Sequence, residues 1–510
     1  MNLDLNEQGG TNSSDFYKIF GREQLDVAEN SCLGINLGNL LPDSPLSPSN
    51  STIVSAIGVA DNTVLVSNDL HNLYLLLRLT LLFCAKHSID LVPEKTKLQV
   101  FFRNGIPFDL PLARVTNPIS INGSTIPFSD VAEHVGVLRS VHGNEPTLLA
   151  RFAAHRRALA SLLHTGMARS HRANPIDNLK MEKLYATPVL LSGIASLVLS
   201  SKELNLIEHH YQETLRRLIR LHPRTPRCVV YFLAGSLPGS ALVHLRQLTL
   251  FGMICRLHGN ILHAHANNLF SAKTISKKSW FHQVRNLCLL YDLPHPLDML
   301  EHPMGKTEFK RLVKSKILSY WEIVLREEAF SLKSLCYFHP QFMSLSRPHP
   351  LWLTAGHSPR KVSMALTQAI MLSGRYRSNA LKRHWSKTHD GTCTLAPECS
   401  NVVEDIQHII AFCPALKEVR INLLKFTSEY SLSLPEPVKV YIMSICRPSH
   451  PQFCQFMIDC SSLPEVVSLA QVFGSDVLGH LFHVTRVWIY SLHRKRMKML
   501  GIWRTPTNRL

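Results

Sequence analysis

Three cysteines and a histidine near the C-terminal end of the chain are residue types that bind a transition metal. They are Cys393, Cys399, His408 and Cys413, with the spacing C-x5-C-x8-H-x4-C. Three thiolates and one imidazole within about twenty residues can complete a tetrahedral zinc site. The alternative is a set of buried free cysteines beside an unrelated histidine. The spacing favours zinc.

A second group with possible chemistry lies near the N-terminal end, where Asp61 and Asn62 separate two apolar runs. The runs are residues 53–59 and 64–66. Two β-rich runs around a short Asp/Asn turn predict a hairpin. Such a hairpin would present the carboxylate of Asp61, and Mg²⁺ prefers oxygen ligands of this kind.

The residues after the turn predict a helix and then a strand. Asp69 has the residue type and position of an N-cap. Apolar residues then recur at intervals of three and four, which indicates one face of a helix. A further strand is predicted for residues 98–101. This face of the helix is formed by Leu70, Leu73, Leu76, Leu77, Thr80, Leu81 and Cys84.

The order of hairpin, helix, Glu94–Lys97 and strand resembles the palm of a reverse transcriptase from a non-LTR retrotransposon. That family has an aromatic-Ala-Asp-Asp turn, and this chain has Val59-Ala60-Asp61-Asn62. The resemblance implies that Asp61 and Lys95 are catalytic and that Asn62 is a degenerate catalytic position. The alternative is an ordinary hairpin followed by a buried helix.

Gln8, Gly9 and Gly10 resemble the Gln-Gly box of the same family, which implies binding of the template and the incoming nucleotide. Family members have a further catalytic aspartate and the fingers before this box, whereas seven residues precede Gln8. The resemblance therefore implies a truncated polymerase that is inactive alone. Magnesium would be weakly held or lost, because Asp61 would be its single carboxylate at the turn.

Residues after the hairpin extend the resemblance to the end of the palm and to a thumb. Asn122-Gly123 predicts a second hairpin, and His134, Gly136 and Val137 resemble the segment that grips the primer. Residues 146–222 are predicted to be helical with basic faces, which could contact phosphates. The basic residues assigned to nucleic-acid binding in this thumb-like region are Arg151, Arg156, Arg157, Arg216, Arg217 and Arg220.

A basic and aromatic run precedes the cysteines. Together with the cysteines it resembles the zinc-binding segment of non-LTR retrotransposon polymerases, in which the first two cysteines are usually closer together. The last helix, predicted for residues 472–500, ends in the basic run 493–498, which could also contact nucleic acid. The cations assigned to nucleic-acid binding before the cysteines are Arg375, Arg377, Lys382 and Arg383.

The composition of the 510 residues indicates a folded protein with a polyanionic partner. Hydrophobic residues make up 45% and the formal net charge is +18. This charge favours RNA or DNA as partner. No secretory signal and no run long enough to span a membrane is evident, so we expect an intracellular protein, nuclear or cytoplasmic, without disulfides. We expect no small-molecule substrate for the chain alone.

The sequence thus predicts an α+β protein with a palm remnant, a mostly helical thumb and connector, and a small zinc-binding segment. Its function would be that of a retrotransposon-derived, inactive reverse transcriptase that binds nucleic acid. The alternatives are an RNA/DNA-binding or protein-interaction scaffold, and a polymerase that needs a partner chain. The predicted segments are residues 1–142 (palm), 143–222 (thumb-like), 223–374 (connector), 375–430 (basic zinc segment) and 431–510 (helical tail).

Overall fold

The computed structural model describes residues 24–36, 53–59, 62–101, 119–121, 123–134, 137–162, 173–272, 275–386 and 388–502. Their contacts divide them into two compact units. The first unit comprises the described parts of Met1–Ala153, Ser192–Glu203 and Arg246–Val313, and the second those of Ala154–Leu191, Leu204–Leu245 and Lys314–Leu510. The five segments predicted from the sequence stay a prediction.

The strands form small antiparallel pairs in the described part of the chain. Each of the four pairs joins two strands that follow one another in the sequence. The strands are β1 (Ile35–Asn36), β2 (Ile53–Val54), β3 (Ala56–Val59), β4 (Asn62–Leu65), β5 (Ser120–Ile121), β6 (Ser124–Thr125), β7 (Val131–His134) and β8 (Val137–Ser140).

Helices make up most of the described structure. No single described helix is long and apolar enough to cross a membrane. The helices Arg227–Ala234 and Gly239–Cys255, bent by 61°, reach that length and apolar character only when taken together. The helices are α1 (24–30), α2 (Leu70–Lys86), α3 (Glu145–Leu162), α4 (Pro175–Met181), α5 (Thr187–Leu191), α6 (Ser201–Leu218), α7 (Arg227–Ala234), α8 (Gly239–Cys255), α9 (Ile261–Ser271), α10 (Trp280–Leu290), α11 (Pro296–Glu301), α12 (Lys306–Ser331), α13 (Pro350–Leu353), α14 (Pro359–Leu372), α15 (Asn379–Trp385), α16 (Lys417–Ser431), α17 (Glu436–Ile445), α18 (Phe453–Ile458), α19 (Pro464–Phe473) and α20 (Asp476–Met499).

Several local predictions are confirmed. The strands β3 and β4 pair with Val59 opposite Asn62, as the Asp/Asn turn predicts. Asp69 caps α2 by accepting a hydrogen bond from the backbone N–H of Asn72 at 2.7 Å. The hairpin around Gly123 and the long C-terminal helix α20 also form. A mostly helical chain with small antiparallel sheets agrees with the predicted α+β class.

The strand predicted for residues 98–101 is wrong. Leu98 makes only an isolated bridge to Phe128. The N–H of Leu98 donates to the carbonyl of Pro127, and the N–H of Ser129 donates to the carbonyl of Leu98. Beyond Ser129 the chain enters β7, which pairs with β8 and not with residues 99–101. The segment therefore packs on α2 without becoming a strand.

Two faces of α2 organise two small hydrophobic clusters in the N-terminal part of the first unit. Leu77 packs with residues of segments 98 and 119–128, and Leu76 packs with Ala28 and Ala56. The neighbouring positions on α2 point in different directions because a helix turns about 100° per residue. One helix therefore joins the β3–β4 hairpin to the following hairpin.

The second unit contains a large core around α20. Trp488 is fully buried and donates from its indole nitrogen to Oγ1 of Thr427 at 2.8 Å. Gln368 donates to the carbonyl of Met457 at 2.8 Å and to Oγ1 of Thr485 at 3.0 Å. These bonds satisfy buried polar groups that would otherwise destabilise the core. The C-terminal helix is therefore central to this unit.

Two glycines of the second unit allow a matched test of its packing. Gly235 ends α7 with φ of +61°, and a β-carbon there would lie 2.1 Å from the backbone carbon of Arg347. Gly356 has a similar φ of +57°, but a β-carbon there would contact nothing within 4 Å. We expect Gly356→Ala to destabilise by about 1 kcal/mol through backbone strain alone, and Gly235→Ala by roughly 3 kcal/mol or more. Urea unfolding measures both, and equal shifts of the midpoint would contradict this packing.

Candidate metal centre

The first two cysteines are positioned by a short loop closed by backbone hydrogen bonds. The N–H of Cys393 donates to the carbonyl of Val402 at 2.8 Å, and the N–H of Glu404 donates to the carbonyl of Gly391 at 2.9 Å. Gly391 begins this loop with φ of +84°, a conformation that suits glycine. A 3-10 turn, Pro397–Cys399, follows inside the loop. The five residues between the cysteines are accommodated by this turn.

The last two ligand-type residues lie at the two ends of one wide helical turn. His408–Phe412 is a π-helix, in which the N–H of Cys413 donates to the carbonyl of His408 at 2.7 Å. In an α-helix, residues five positions apart point about 140° away from each other. The wider turn, closed by an i→i+5 hydrogen bond, returns the chain to the same side. The π-helix therefore directs both residues towards the loop.

The helix that contains His408 begins only after Asp405. Val403 instead forms an antiparallel bridge with Thr392. The carboxylate of Asp405 accepts a hydrogen bond from the backbone N–H of His408 at 2.7 Å. Asp405 therefore acts as the N-cap of this helix. The cap ends the extended segment and begins the helix.

The four predicted ligands come together as a buried cluster. Their ligand atoms all lie within 4.8 Å of one another, and the sulfurs of Cys393 and Cys413 are 3.9 Å apart. A tetrahedral ion with metal–sulfur bonds of about 2.3 Å would separate two sulfurs by about 3.8 Å. Nε2 of His408 is buried without a hydrogen-bond partner, as expected for an atom that ligates a metal. The cluster could hold a metal ion.

Burial favours the neutral forms of Cys399, His408 and Cys413. Burial raises the pKa of Cys413 to about 12, with further contributions from Cys393 and Cys399. Burial also raises the pKa of Cys399 and lowers that of His408. Three thiolates placed this close together need a compensating positive charge. A divalent cation would supply it.

A buried ion pair between Arg496 and Glu404 stabilises the loop. Nε of Arg496 donates to Oε1 of Glu404 at 2.7 Å, and Nη2 donates to Oε2 at 3.0 Å. Both side chains are almost inaccessible to solvent, at 2% and 0% exposure. The backbone N–H of Asn379 also donates to Glu404, at 3.0 Å. This pair ties the loop to the C-terminal helix and to the start of α15.

The basic residues before the cysteines lie on or beside α15, which packs on the loop. A β-carbon at Gly391 would lie 3.2 Å from Cδ of Arg383. Arg377 and Arg383 are exposed, whereas Arg375 and Lys382 are half-buried. Nζ of Lys382 donates to Oδ1 of Asn379 at 3.0 Å. The structure therefore brings the predicted metal ligands and this basic segment together.

Some cations of the thumb-like region are engaged within the protein. Nε and Nη2 of Arg216 donate to the carbonyl of Thr225, and Nη2 of Arg220 donates to the carbonyl of Ala173. Arg217 forms an exposed ion pair with Glu213 on α6. A guanidinium group that donates to backbone carbonyls has a structural role, and it can have this role with or without an additional phosphate contact. Nucleic-acid contacts of these residues stay a prediction.

The remaining thumb-like cations lie on α3, where their exposure differs. Arg156 and Arg157 are exposed, and Arg151 is half-buried. Arg151 also lies near enough to Arg139 for its charge to lower the pKa of that guanidinium, after the larger effect of burial. The exposed pair Arg156 and Arg157 therefore remains the simplest candidate for phosphate contact on this helix.

The predicted polymerase residues lie almost entirely outside the described structure. Gln8, Gly9, Gly10 and Asp61 are not among the described residues. The backbone of Asn62 begins β4, and Lys95 is an exposed residue at the end of a 3-10 turn, Pro93–Lys95. Catalytic roles at these positions stay predictions of the sequence.

Two features of this region were not predicted from the sequence. Arg496 belongs to the C-terminal basic run, which was expected to contact nucleic acid, but its side chain is buried against Glu404 and lies over the ring of Tyr376 at 5.5 Å. His222, at the end of the thumb-like region, stacks on Trp385. Only the apolar spacing around Arg496 within α20 could have indicated that it faces the core.

Breaking the buried ion pair should be far more costly than breaking an exposed one. Arg496→Met leaves the carboxylate of Glu404 buried without a counter-charge, so we expect a loss of about 3–5 kcal/mol. Arg217→Met removes the exposed partner of Glu213 and should cost less than about 1 kcal/mol. Chemical unfolding of both variants measures the difference. Similar losses would show that the buried pair is not a principal support of the loop.

Comparisons with known proteins identify no relative of this chain. No protein-family model matches it, and neither a curated protein nor a solved structure matches it. The chemistry assigned to the site therefore rests on the four clustered ligand-type residues and on the contacts that position them.

Proposed function

We propose that the cluster binds one zinc ion as a structural site. Three soft thiolates and an imidazole form a ligand set typical of zinc, and the sulfur separation of 3.9 Å fits tetrahedral coordination. All four residues are buried, and four protein ligands would leave no open position for a substrate. The metal would therefore hold the loop on the π-helix and take no part in a reaction.

We further propose that the chain is a nucleic-acid-binding protein. The observation that carries this proposal is the packing of the basic helix α15 directly on the loop of residues 391–404 (the metal loop), with Arg377 and Arg383 exposed. The formal charge of +18 gives long-range attraction to a polyanion. Small metal-stabilised loops bearing exposed cations suit contacts with phosphates. The partner would be RNA, DNA or both.

The lineage that we propose is that of a non-LTR retrotransposon reverse transcriptase. The support is the resemblance stated above, together with the β3–β4 hairpin and the capped helix α2 that follows it. The neutral amide of Asn62 stands where the resemblance expects a second carboxylate. We therefore propose that this chain does not synthesise DNA by itself. A nucleic-acid-binding scaffold with no polymerase role is the second candidate, and Asn62 favours it.

Metal analysis tests the zinc proposal. We expect about one zinc per chain after purification, and loss of most of it in Cys399→Ser/His408→Ala. The control is Cys336→Ser, because Cys336 is an exposed cysteine outside the cluster. Chelation should accelerate amide exchange around residues 390–415 while the large core of the second unit stays protected. Less than about half an equivalent of zinc would reject the proposal.

The salt dependence of binding tests the nucleic-acid proposal. If about six phosphates are neutralised on a duplex, the log–log slope of affinity against salt should be near −5. Arg377→Gln/Arg383→Gln should reduce its magnitude by about 2. Lys417→Gln/Lys425→Gln removes the same charge from exposed positions on α16 and is the matched control. A flat salt response, or no binding at low salt, would refute this proposal.

Primer extension tests the absence of polymerase activity. Phosphoryl transfer by two metal ions needs several carboxylates, and each 1.4 kcal/mol of lost stabilisation slows a reaction about tenfold. We expect no product from a primed RNA template with Mg²⁺ or Mn²⁺. Product that disappears in Asp61→Ala would prove the chain active. Product that survives this substitution would indicate a contaminating polymerase.

A further inference from the structure

A half-buried histidine and an exposed tryptophan stack on each other beside the metal loop. The ring centroids of His222 and Trp385 are 6.2 Å apart, and their planes differ by 18°. Trp385 ends α15 and is 46% exposed, whereas Trp352 and Trp488 are fully buried. The pair joins residues that are distant in the sequence, one just after α6 and one just before the cysteines. Part of the Trp385 ring is therefore accessible to a partner at this position.

Positive charges surround the ring pair. Arg224 and Arg377 are exposed, and Arg375 is half-buried. After the larger effect of burial, the charges of these three arginines lower the pKa of His222. Nδ1 of His222 accepts a hydrogen bond from the backbone N–H of Arg224 at 3.1 Å, which fixes the ring. The surface therefore combines a neutral aromatic face with guanidinium groups.

The metal loop fixes the helix that carries Trp385. Nδ2 of Asn379 donates to the carbonyl of Thr392 at 2.7 Å, and the N–H of Ala380 donates to the carbonyl of Glu404 at 3.1 Å. The close approach of Gly391 to Arg383 packs the loop against the middle of the same helix. Trp385 is therefore held at the end of a short helix that the candidate metal centre anchors.

We propose that the stacked pair of Trp385 and His222 binds an unpaired base of a single-stranded nucleic acid, while the neighbouring arginines bind its phosphates. This inference rests on the nucleic-acid binding proposed above and specifies its substrate class. In a duplex the faces of the bases are covered by their neighbours, whereas a single strand can turn a base onto a ring. Stacking on aromatic side chains accepts any base and needs positive charge along the backbone. Both conditions are met at this surface.

Binding measurements on the full chain test the proposal. Fluorescence anisotropy compares four probes: a 12-nucleotide RNA, a DNA of the same length, the same DNA with abasic sites, and a duplex. Trp385→Ala should weaken binding of both intact single strands by about 5- to 150-fold. Trp385→Phe should retain most of the affinity because it keeps an aromatic ring. Duplex affinity should change less than twofold in either variant.

The abasic strand tests the same contact without altering the protein. It keeps the phosphates and lacks the bases, so the wild-type chain should bind it about as weakly as Trp385→Ala binds the intact strand. The matched control is Phe330→Ala, because Phe330 is 62% exposed and follows Glu327 and Glu328. This variant should bind all probes like the wild type.

Each possible outcome supports or overturns one idea. Equal affinity for intact and abasic strands would overturn base stacking while leaving nucleic-acid binding in place. A parallel loss of single-strand and duplex binding in Trp385→Ala would show that the residue supports the fold, and would overturn the proposal. No binding of any probe by the wild type would refute nucleic-acid binding itself. If poly-glutamate competes as well as nucleic acid does, the surface binds anions in general and the base-stacking proposal is overturned.

Discussion

The buried carboxylate of Glu404 is the group on which the arrangement of the metal loop depends. A charge removed from water is very unfavourable unless a counter-charge and further donors surround it. Arg496 supplies the charge, and the backbone N–H of Asn379 supplies another donor. The backbone of the same residue also bonds to the loop and to α15 through Gly391 and Ala380. One side chain therefore requires the loop, the basic helix and the C-terminal helix to meet.

Several arginine side chains of the second unit donate hydrogen bonds to backbone carbonyls inside the protein. Arg486 donates to the carbonyls of Leu351 and Thr354, and Arg420 donates to that of Cys413. The planar guanidinium, with five N–H donors, suits a segment end where several carbonyls lack partners. The formal net charge therefore overstates the positive surface that a partner can reach. The cations that a partner can reach are exposed ones such as Arg377 and Arg383.

Patterns in the sequence predicted those parts of the structure that are formed by interactions between residues close together in the chain. The pairing of β3 with β4, the cap at Asp69 and the clustering of the four metal-ligand residues each depend on neighbours close in sequence. The stacking of His222 on Trp385 depends on the packing of helices that are distant in the sequence. A local sequence pattern cannot predict such a contact. Arg496 was misassigned because a basic run at a helix end usually faces solvent, whereas here a buried carboxylate attracts one member of the run inward.

The π-helix between His408 and Cys413 bears on how the site tolerates changes in chain length. Its wide turn contains one residue more than an α-turn needs to return to the same face. Deletion of one residue there would leave a spacing of four, for which an ordinary α-turn places the two side chains on one face. Insertion of one more residue would have no such regular turn to absorb it. Between His408 and Cys413, deletion of one residue is therefore compatible with metal binding by both side chains, whereas insertion of one residue is not.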